Sequence, residues 1–171
     1  LDITGPFAEG LDVGSDNLVM KAARALAAWA AANGFKTSGA ALTLEKNLPV
    51  ASGIGGGSSD AAAALLLLAE QWGLPVGMEG LRDIGLTLGA DVPVCLNARP
   101  TLMSGIGEIL KPAPELPPFA LVLVNPGVEV PTAQVFKSLR THSGTIEPKP
   151  FKSRTAHEFA LWLDQTSNDL S

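Results

Sequence analysis

Residues 49–63 read PVASGIGGGSSDAAA. Four of the five positions from Gly53 to Gly57 are glycine, the hydroxyls of Ser58 and Ser59 follow, and Asp60 leads into a run of alanine and leucine. Ahead of this loop, AALTLEKNL has the look of a strand. Strand, glycine loop, hydroxyl pair and helix, in that order, build a site for an anion and above all for phosphate. Glycine lets the backbone approach an anion closely and adopt φ > 0 without strain. The start of a helix adds N–H groups without partners and the positive end of a dipole. The competing reading is a flexible linker or a tight turn, but a linker seldom stands between a strand and a strongly apolar helix.

Three familiar motifs are excluded. The P-loop G-x-x-x-x-G-K-[ST] fails because no lysine follows the glycines. The dinucleotide fingerprint G-x-G-x-x-G/A fails because Gly53 and Gly55 are followed by Ser58, and Gly55 and Gly57 by Asp60. The nucleophile elbow G-x-S-x-G fails because Gly56-Gly57-Ser58-Ser59 runs into Asp60.

Asp91 is the second group with chemistry to offer. It stands in Gly89-Ala90-Asp91-Val92-Pro93 among apolar neighbours, and the proline fixes the turn after it. A carboxylate there takes a metal, a cation or a hydroxyl as its partner, or it serves as an Asx-turn or helix cap. Beside a phosphate loop, a positioned carboxylate suits phosphoryl transfer, in which an aspartate orients the attacking alcohol and accepts its proton.

Periodicity gives the elements that must position these groups. Residues 1–8 predict a short strand. Asp16 is the expected N-cap of a helix over 17–33, where Leu18, Ala22, Leu26 and Trp29 recur at helical spacing, and Asn33-Gly34 closes it. Leu42 and Leu44 alternate with Thr43 and Glu45, a half-buried strand. The helix predicted from Ser59 to Trp72 is apolar nearly all round, so it is expected to be central and buried. Gly73-Leu74-Pro75 stops it, and another helix covers 78–88 with Gly89 after it. Val94–Asn97 predicts a short strand. Thr101–Leu110, with Gly105 and Gly107, predicts a hairpin or bent strand. Pro112, Pro114, Pro117 and Pro118 mark a linker, and the domain boundary is expected near 111–117. Beyond it come a continuous apolar strand over Phe119–Val124, a short helix from Pro131 to Leu139, loop over 141–153, and a last helix over 155–165 with Phe159 and Trp162 on one side.

Bulk properties narrow the function classes. A chain of 171 residues buries one ordinary core, or one domain and part of another. Its 46% hydrophobic content is that of a globular protein. The net charge of −5 with no basic stripe argues against nucleic acid as a partner. The longest apolar run, Ala61–Ala69, has nine residues, about half of what a membrane span needs. Cys95 is the single cysteine, which excludes a disulfide within the chain and fits a reducing cytosol; it reads as a small buried apolar residue. The chain opens without methionine and is expected to be a piece of a longer protein.

The loop LPVASGIGGGSSDAAAA resembles the central signature of the GHMP kinases, the family of galactokinase, homoserine, mevalonate and phosphomevalonate kinases. LGADVPVCL, SGIGEIL, LVNPGVEVPTAQVFK and the terminal SNDL, in that order, are similar to the branch of the family that acts on a cytidine-diphosphate-linked methylerythritol. The resemblance implies an α/β fold of the α+β type. Residues 1–116 would form a GHMP-kinase two-layer sandwich, like domain 2 of ribosomal protein S5, and 117–171 the start of a ferredoxin-like substrate domain. It implies ATP and Mg2+, transfer of the γ-phosphoryl to the substrate's 2-hydroxyl in the non-mevalonate isoprenoid route, and a bacterial cytoplasmic enzyme whose partner is a small molecule, not nucleic acid or membrane.

Carried over residue by residue, the resemblance makes Pro49, Val50, Ala51, Ser52, Gly53, Ile54, Gly55, Gly56, Gly57, Ser58 and Ser59 the ATP loop. Asn17, Leu18 and Lys46, with Val50, fall where the family builds its adenine pocket. Asp91 matches the catalytic aspartate. Thr132 and Phe136 fall on the substrate side, Phe136 where an aromatic stacks on cytosine. Plainer readings compete: Lys46 as a solvated charge, Asn17 as a helix-start residue, Phe136 as core. Asp60 receives only a role at the helix N-terminus, Glu108 is expected in a surface turn rather than near magnesium, and His142 and His157 receive no role. The family's leading strand, whose lysine partners the aspartate, and most of its C-terminal domain are expected outside these residues, so this chain alone is expected to lack turnover. The alternatives are a homoserine- or mevalonate-type kinase, or nucleotide binding without turnover.

Overall fold

The computed structural model describes residues 1–50, 52–124, 135, 137, 138 and 154–166. Two compact units divide the chain, Leu1–Lys111 and Pro112–Ser171.

The first unit is a mixture of helices and short strands, an α+β arrangement. In chain order the elements are β1 (Asp2–Thr4), α1 (Leu18–Ala32), β2 (Thr43–Glu45), α2 (Gly56–Gln71), α3 (Met78–Leu88), α4 (Val92–Asn97), β3 (Thr101–Ser104) and β4 (Ile109–Pro112), the last ending at the division. β1 and β2 are parallel, with Ile3 opposite Leu44. A parallel pair needs a crossover, and α1 supplies it. β3 and β4 pair with each other across the turn 105–108.

The core lies among the helices. On α1 the buried residues Val19, Ala22, Leu26 and Ala30 are three or four apart and form one stripe. They meet Ala61, Leu65 and Leu68 of α2, and α4 adds Val92. Alanine at Ala22, Ala30 and Ala61 keeps the helix surfaces thin where α1 and α2 pack.

Several expectations need correction. α2 is buried on one side only: Leu66 and Leu67 are exposed, because α1, α3 and α4 cover the opposite side. An all-apolar helix carries no signal of which side its neighbours take. The helix also starts at Gly56, three residues before the predicted Ser59, and absorbs two of the glycines. Asn17 rather than Asp16 caps α1: its Oδ1 accepts from the Val19 N–H at 2.9 Å, while Asp16 stays at the surface 3.4 Å from Lys21. Val94–Asn97 is not a strand; it belongs to α4, where Pro93 sits in the first turn and its lack of an N–H costs nothing. Phe119–Val124 has no regular structure, and Val122 and Val124 are each 86% exposed. An apolar run becomes a strand only beside another strand, and none pairs with it among the described residues. The helix at 78–88 stands as predicted, and the hairpin expected over 101–110 forms but runs on to Pro112, the first residue of the expected linker. The expected helix of Pro131–Leu139 and the loop 141–153 lie largely or wholly outside the described residues.

In the second unit, α5 (Ala156–Leu163) is capped by Thr155, whose hydroxyl accepts from the Glu158 N–H at 3.2 Å. In return the Glu158 carboxylate accepts from the Arg154 N–H at 3.1 Å, close to the reciprocal pattern of a capping box. Phe159 stacks on Trp162 and tilts against Phe119. Among the described residues no helix is long and apolar enough to cross a membrane.

Candidate functional site

Gly55 stands immediately before α2 with φ 73° and ψ 17°, in the left-handed region, and Gly53 has φ 72°. A Cβ at either would meet nothing within 4 Å. Backbone conformation, not space, therefore demands glycine at these two positions; Gly56 and Gly57 are helical. The first bond of α2 runs from the Ser59 N–H to the Gly55 carbonyl at 2.9 Å, and no side chain caps the helix. The N–H groups of Gly56, Gly57 and Ser58 precede that bond and are available to an anion. At the entrance, the Ser52 hydroxyl donates to the Pro49 carbonyl at 2.8 Å. Leu48, Val50 and Ile54 project from the same loop and are exposed.

Lys46 leaves β2 with its backbone held on both sides. Its N–H donates to the Thr4 carbonyl at 2.7 Å, and its carbonyl accepts from the Phe7 N–H at 3.2 Å. Gly5, at φ 98°, passes so close that a Cβ there would stand 2.6 Å from the Lys46 carbonyl oxygen. The side chain turns inward, and the residue is 7% exposed, the only buried charged residue among those described. This overturns the reading of Lys46 as a solvated charge. Its Nζ lies 2.6 Å from Asp60 Oδ2, and 3.5 Å from where a Cβ on Gly56 would stand. A buried charge persists only when paired, and Asp60, in the second turn of α2, is the pair. An ammonium has three donors; Asp60 takes one, and among the described residues the other two have no acceptor. A fixed positive charge thus stands beside the open first turn of a helix, an arrangement able to hold phosphate.

Asp60 was assigned too little by sequence reasoning. The available signal is that opposite charges flank the glycine loop, fourteen positions apart.

Asp91 occupies the cap position before α4. It is exposed, and its side chain makes no capping bond to the helix, so that helix leaves the carboxylate free for other partners. Burial first, and the Asp91 carboxylate second, push the half-buried Cys95 thiol above its ordinary range. Gly107, buried with φ 117°, supports the loop before Asp91: a Cβ there would lie 2.5 Å from the Ala90 carbonyl oxygen. Glu108 serves the hairpin turn by accepting from the Ile106 N–H at 2.7 Å.

The remaining candidates are scattered. Asn17 uses its side-chain amide locally, accepting from Val19 and donating to the Asp12 carbonyl at 2.8 Å, while Leu18 packs on the core. No hydrogen bond or ion pair ties either to Lys46 among the described residues. Ala51, Thr132, Phe136 and His142 lie outside those residues, and His157 is on α5.

Residues 17–99 match the family model described as the GHMP kinases N terminal domain. Over 172 residues the chain is 50% identical to the 4-diphosphocytidyl-2-C-methyl-D-erythritol kinase of Ruegeria pomeroyi, covering 100% of this chain and 58% of that protein. It is 49% identical over 173 residues to the enzyme of the same name from Parvibaculum lavamentivorans, covering 99% of this chain and 58% of the relative. A crystal structure of a 4-(cytidine 5'-diphospho)-2C-methyl-D-erythritol kinase superposes with a TM-score of 0.60 at 31% identity, over 98% of this chain and 58% of that one. The chain thus spans little more than half the length of these relatives.

Proposed function

We propose that this chain, whose residues 17–99 match the GHMP kinases N terminal domain, is part of a GHMP kinase that transfers the γ-phosphoryl of ATP to the 2-hydroxyl of 4-diphosphocytidyl-2-C-methyl-D-erythritol. The observation that carries the reading is the buried Lys46 ammonium beside the uncapped first turn of α2. The names of the relatives supply the acceptor.

ATP enters as its magnesium complex. Among the described residues no group of three or more His, Cys, Asp or Glu is placed to hold a metal ion. The N–H groups of Gly56, Gly57 and Ser58 hydrogen-bond phosphate oxygens, and Lys46 adds positive charge. Positioning and charge neutralisation make up most of what catalyses phosphoryl transfer. The acceptor's 2-hydroxyl oxygen forms a bond to the γ-phosphorus as Asp91 takes its proton. The bond from that phosphorus to the β–γ bridging oxygen breaks, and ADP leaves. Pro49, Val50, Ala51, Ser52, Gly53 and Ile54 continue the loop around the nucleotide, and Asn17 and Leu18 lie on its adenine side. Thr132 and Phe136 meet the acceptor, Phe136 by stacking on cytosine, a contact worth about 1–3 kcal/mol. The protein works in the bacterial cytoplasm.

The test is ADP release by the whole protein with the cytidine-linked acceptor, homoserine or mevalonate. Release confined to the first supports the reading. Release with either of the others reassigns the enzyme within its family, and ADP binding without release makes it a nucleotide-binding module.

A further inference from the structure

The nucleotide reading leaves open what the buried ion pair is for. Lysine is a long chain with four rotatable bonds, and an ammonium free to wander would meet a ligand in many geometries. Here both ends are fixed. The backbone is clamped between Thr4 and Phe7, and the ammonium is held at 2.6 Å by Asp60. Asp60 itself rides on α2, one turn beyond the N–H groups that precede the first helical bond. The cation and the amides therefore share one rigid support. The two donors that Asp60 does not use are next to Gly56, at the helix start, where a phosphate would lie.

We propose that Asp60 is a positioning residue: it holds the Lys46 ammonium against the first turn of α2, so that Lys46 meets the phosphates of a bound nucleotide and not its base. The inference rests on the nucleotide reading above and assigns to Asp60 a part that its family likeness does not. It makes a prediction of unusual sign. By charge alone, Asp60 repels phosphate, so removing its charge would tighten ADP binding. If Asp60 positions Lys46, removing its charge weakens ADP binding, because the ammonium then loses its fixed place.

The experiment is calorimetric titration of the whole protein with ADP and with adenosine, for the parent and for Asp60→Asn, Asp60→Glu and Lys46→Met. Thermal melts show which variants are folded. Expected are at least a tenfold loss of ADP affinity in Lys46→Met, a threefold or greater loss in Asp60→Asn, an intermediate loss in Asp60→Glu, and adenosine affinity unchanged throughout. Should Asp60→Asn not fold, Asp60→Glu decides in its place, since one added methylene displaces the carboxylate and keeps its charge. ADP affinity equal to or tighter than the parent's in the Asp60 variants overturns positioning. Equal losses for ADP and adenosine in Lys46→Met overturn the phosphate assignment and return Lys46 to the base. A parent that binds no ADP refutes the nucleotide reading itself, a result distinct from the others.

Discussion

Replacing Gly55 by alanine separates the two reasons for a glycine, room and backbone freedom. Nothing lies within 4 Å of a Cβ at this position, so alanine fits without a clash. What it must bear is φ 73° and ψ 17°. An L-residue in the left-handed region costs roughly 1–2 kcal/mol, and alanine regains about 0.4–1 kcal/mol by restricting the unfolded chain. At the midpoints of those two ranges the net loss is about 0.8 kcal/mol, roughly a fourfold fall in the folding equilibrium constant. Asparagine visits the left-handed region readily and should lie between glycine and alanine, whereas valine, β-branched, should be the worst of the four. Urea unfolding gives the order from the transition midpoints, and ADP titration of the folded variants shows whether the loop keeps its shape. An alanine variant as stable as the parent, or a valine variant no worse than alanine, would refute the assignment of a left-handed Gly55.

Three further outcomes are expected. Asp91→Asn should leave ADP affinity intact and lower turnover of the whole protein about 10²–10⁴-fold, the usual cost of losing a positioned general base; turnover near that of the parent would mean that Asp91 accepts no proton. Gly107→Ala should lower stability by about 1–3 kcal/mol, since the new Cβ falls 2.5 Å from the Ala90 carbonyl oxygen; an unchanged urea midpoint would show that the hairpin does not press on this loop. The Cys95 thiol, raised by burial and then by Asp91, has less thiolate at pH 8 than an ordinary thiol, so alkylation by iodoacetamide should be slow there and accelerate at higher pH. Asp91→Asn should shift that profile to lower pH, and a profile that does not move would remove Asp91 as a cause.

Sequence periodicity was sufficient wherever a residue's own neighbours decide its conformation. The stripe on α1, the boundaries of α3 and the hairpin glycines all follow local rules, and the structure agrees with them. The glycine loop was legible for the same reason, because a run of small residues before a helix has few other uses. Its details were not. Four glycines look alike in a sequence, yet only Gly53 and Gly55 are left-handed. Val94–Asn97 suggests a strand because a short run of three apolar residues fits either element, and Pro93 in the first turn decides for the helix. Phe119–Val124 and the exposed side of α2 were misread because burial depends on partners that a chain's own pattern does not name. The ion pair of Lys46 and Asp60 joins residues on opposite sides of the loop, and only the folded path of that loop shows that they meet.

The parallel strands have a consequence for how the unit assembles. Each has three residues, and their register joins Asp2 to Thr43 across the whole of α1. Closing so long a loop costs entropy before any bond compensates it, so such contacts tend to form late. The helices need no such closure to begin. Yet the backbone clamp on Lys46 runs through Thr4 and Phe7, so the cation reaches the glycine loop only once those strands have met. The same contacts should be the first to open, and amide hydrogen exchange at Lys46 should be faster than at Leu26 in the helical core. A nucleotide that binds only the closed form would pull this equilibrium by mass action, so that occupancy by ligand secures the segment that its own short strands hold least.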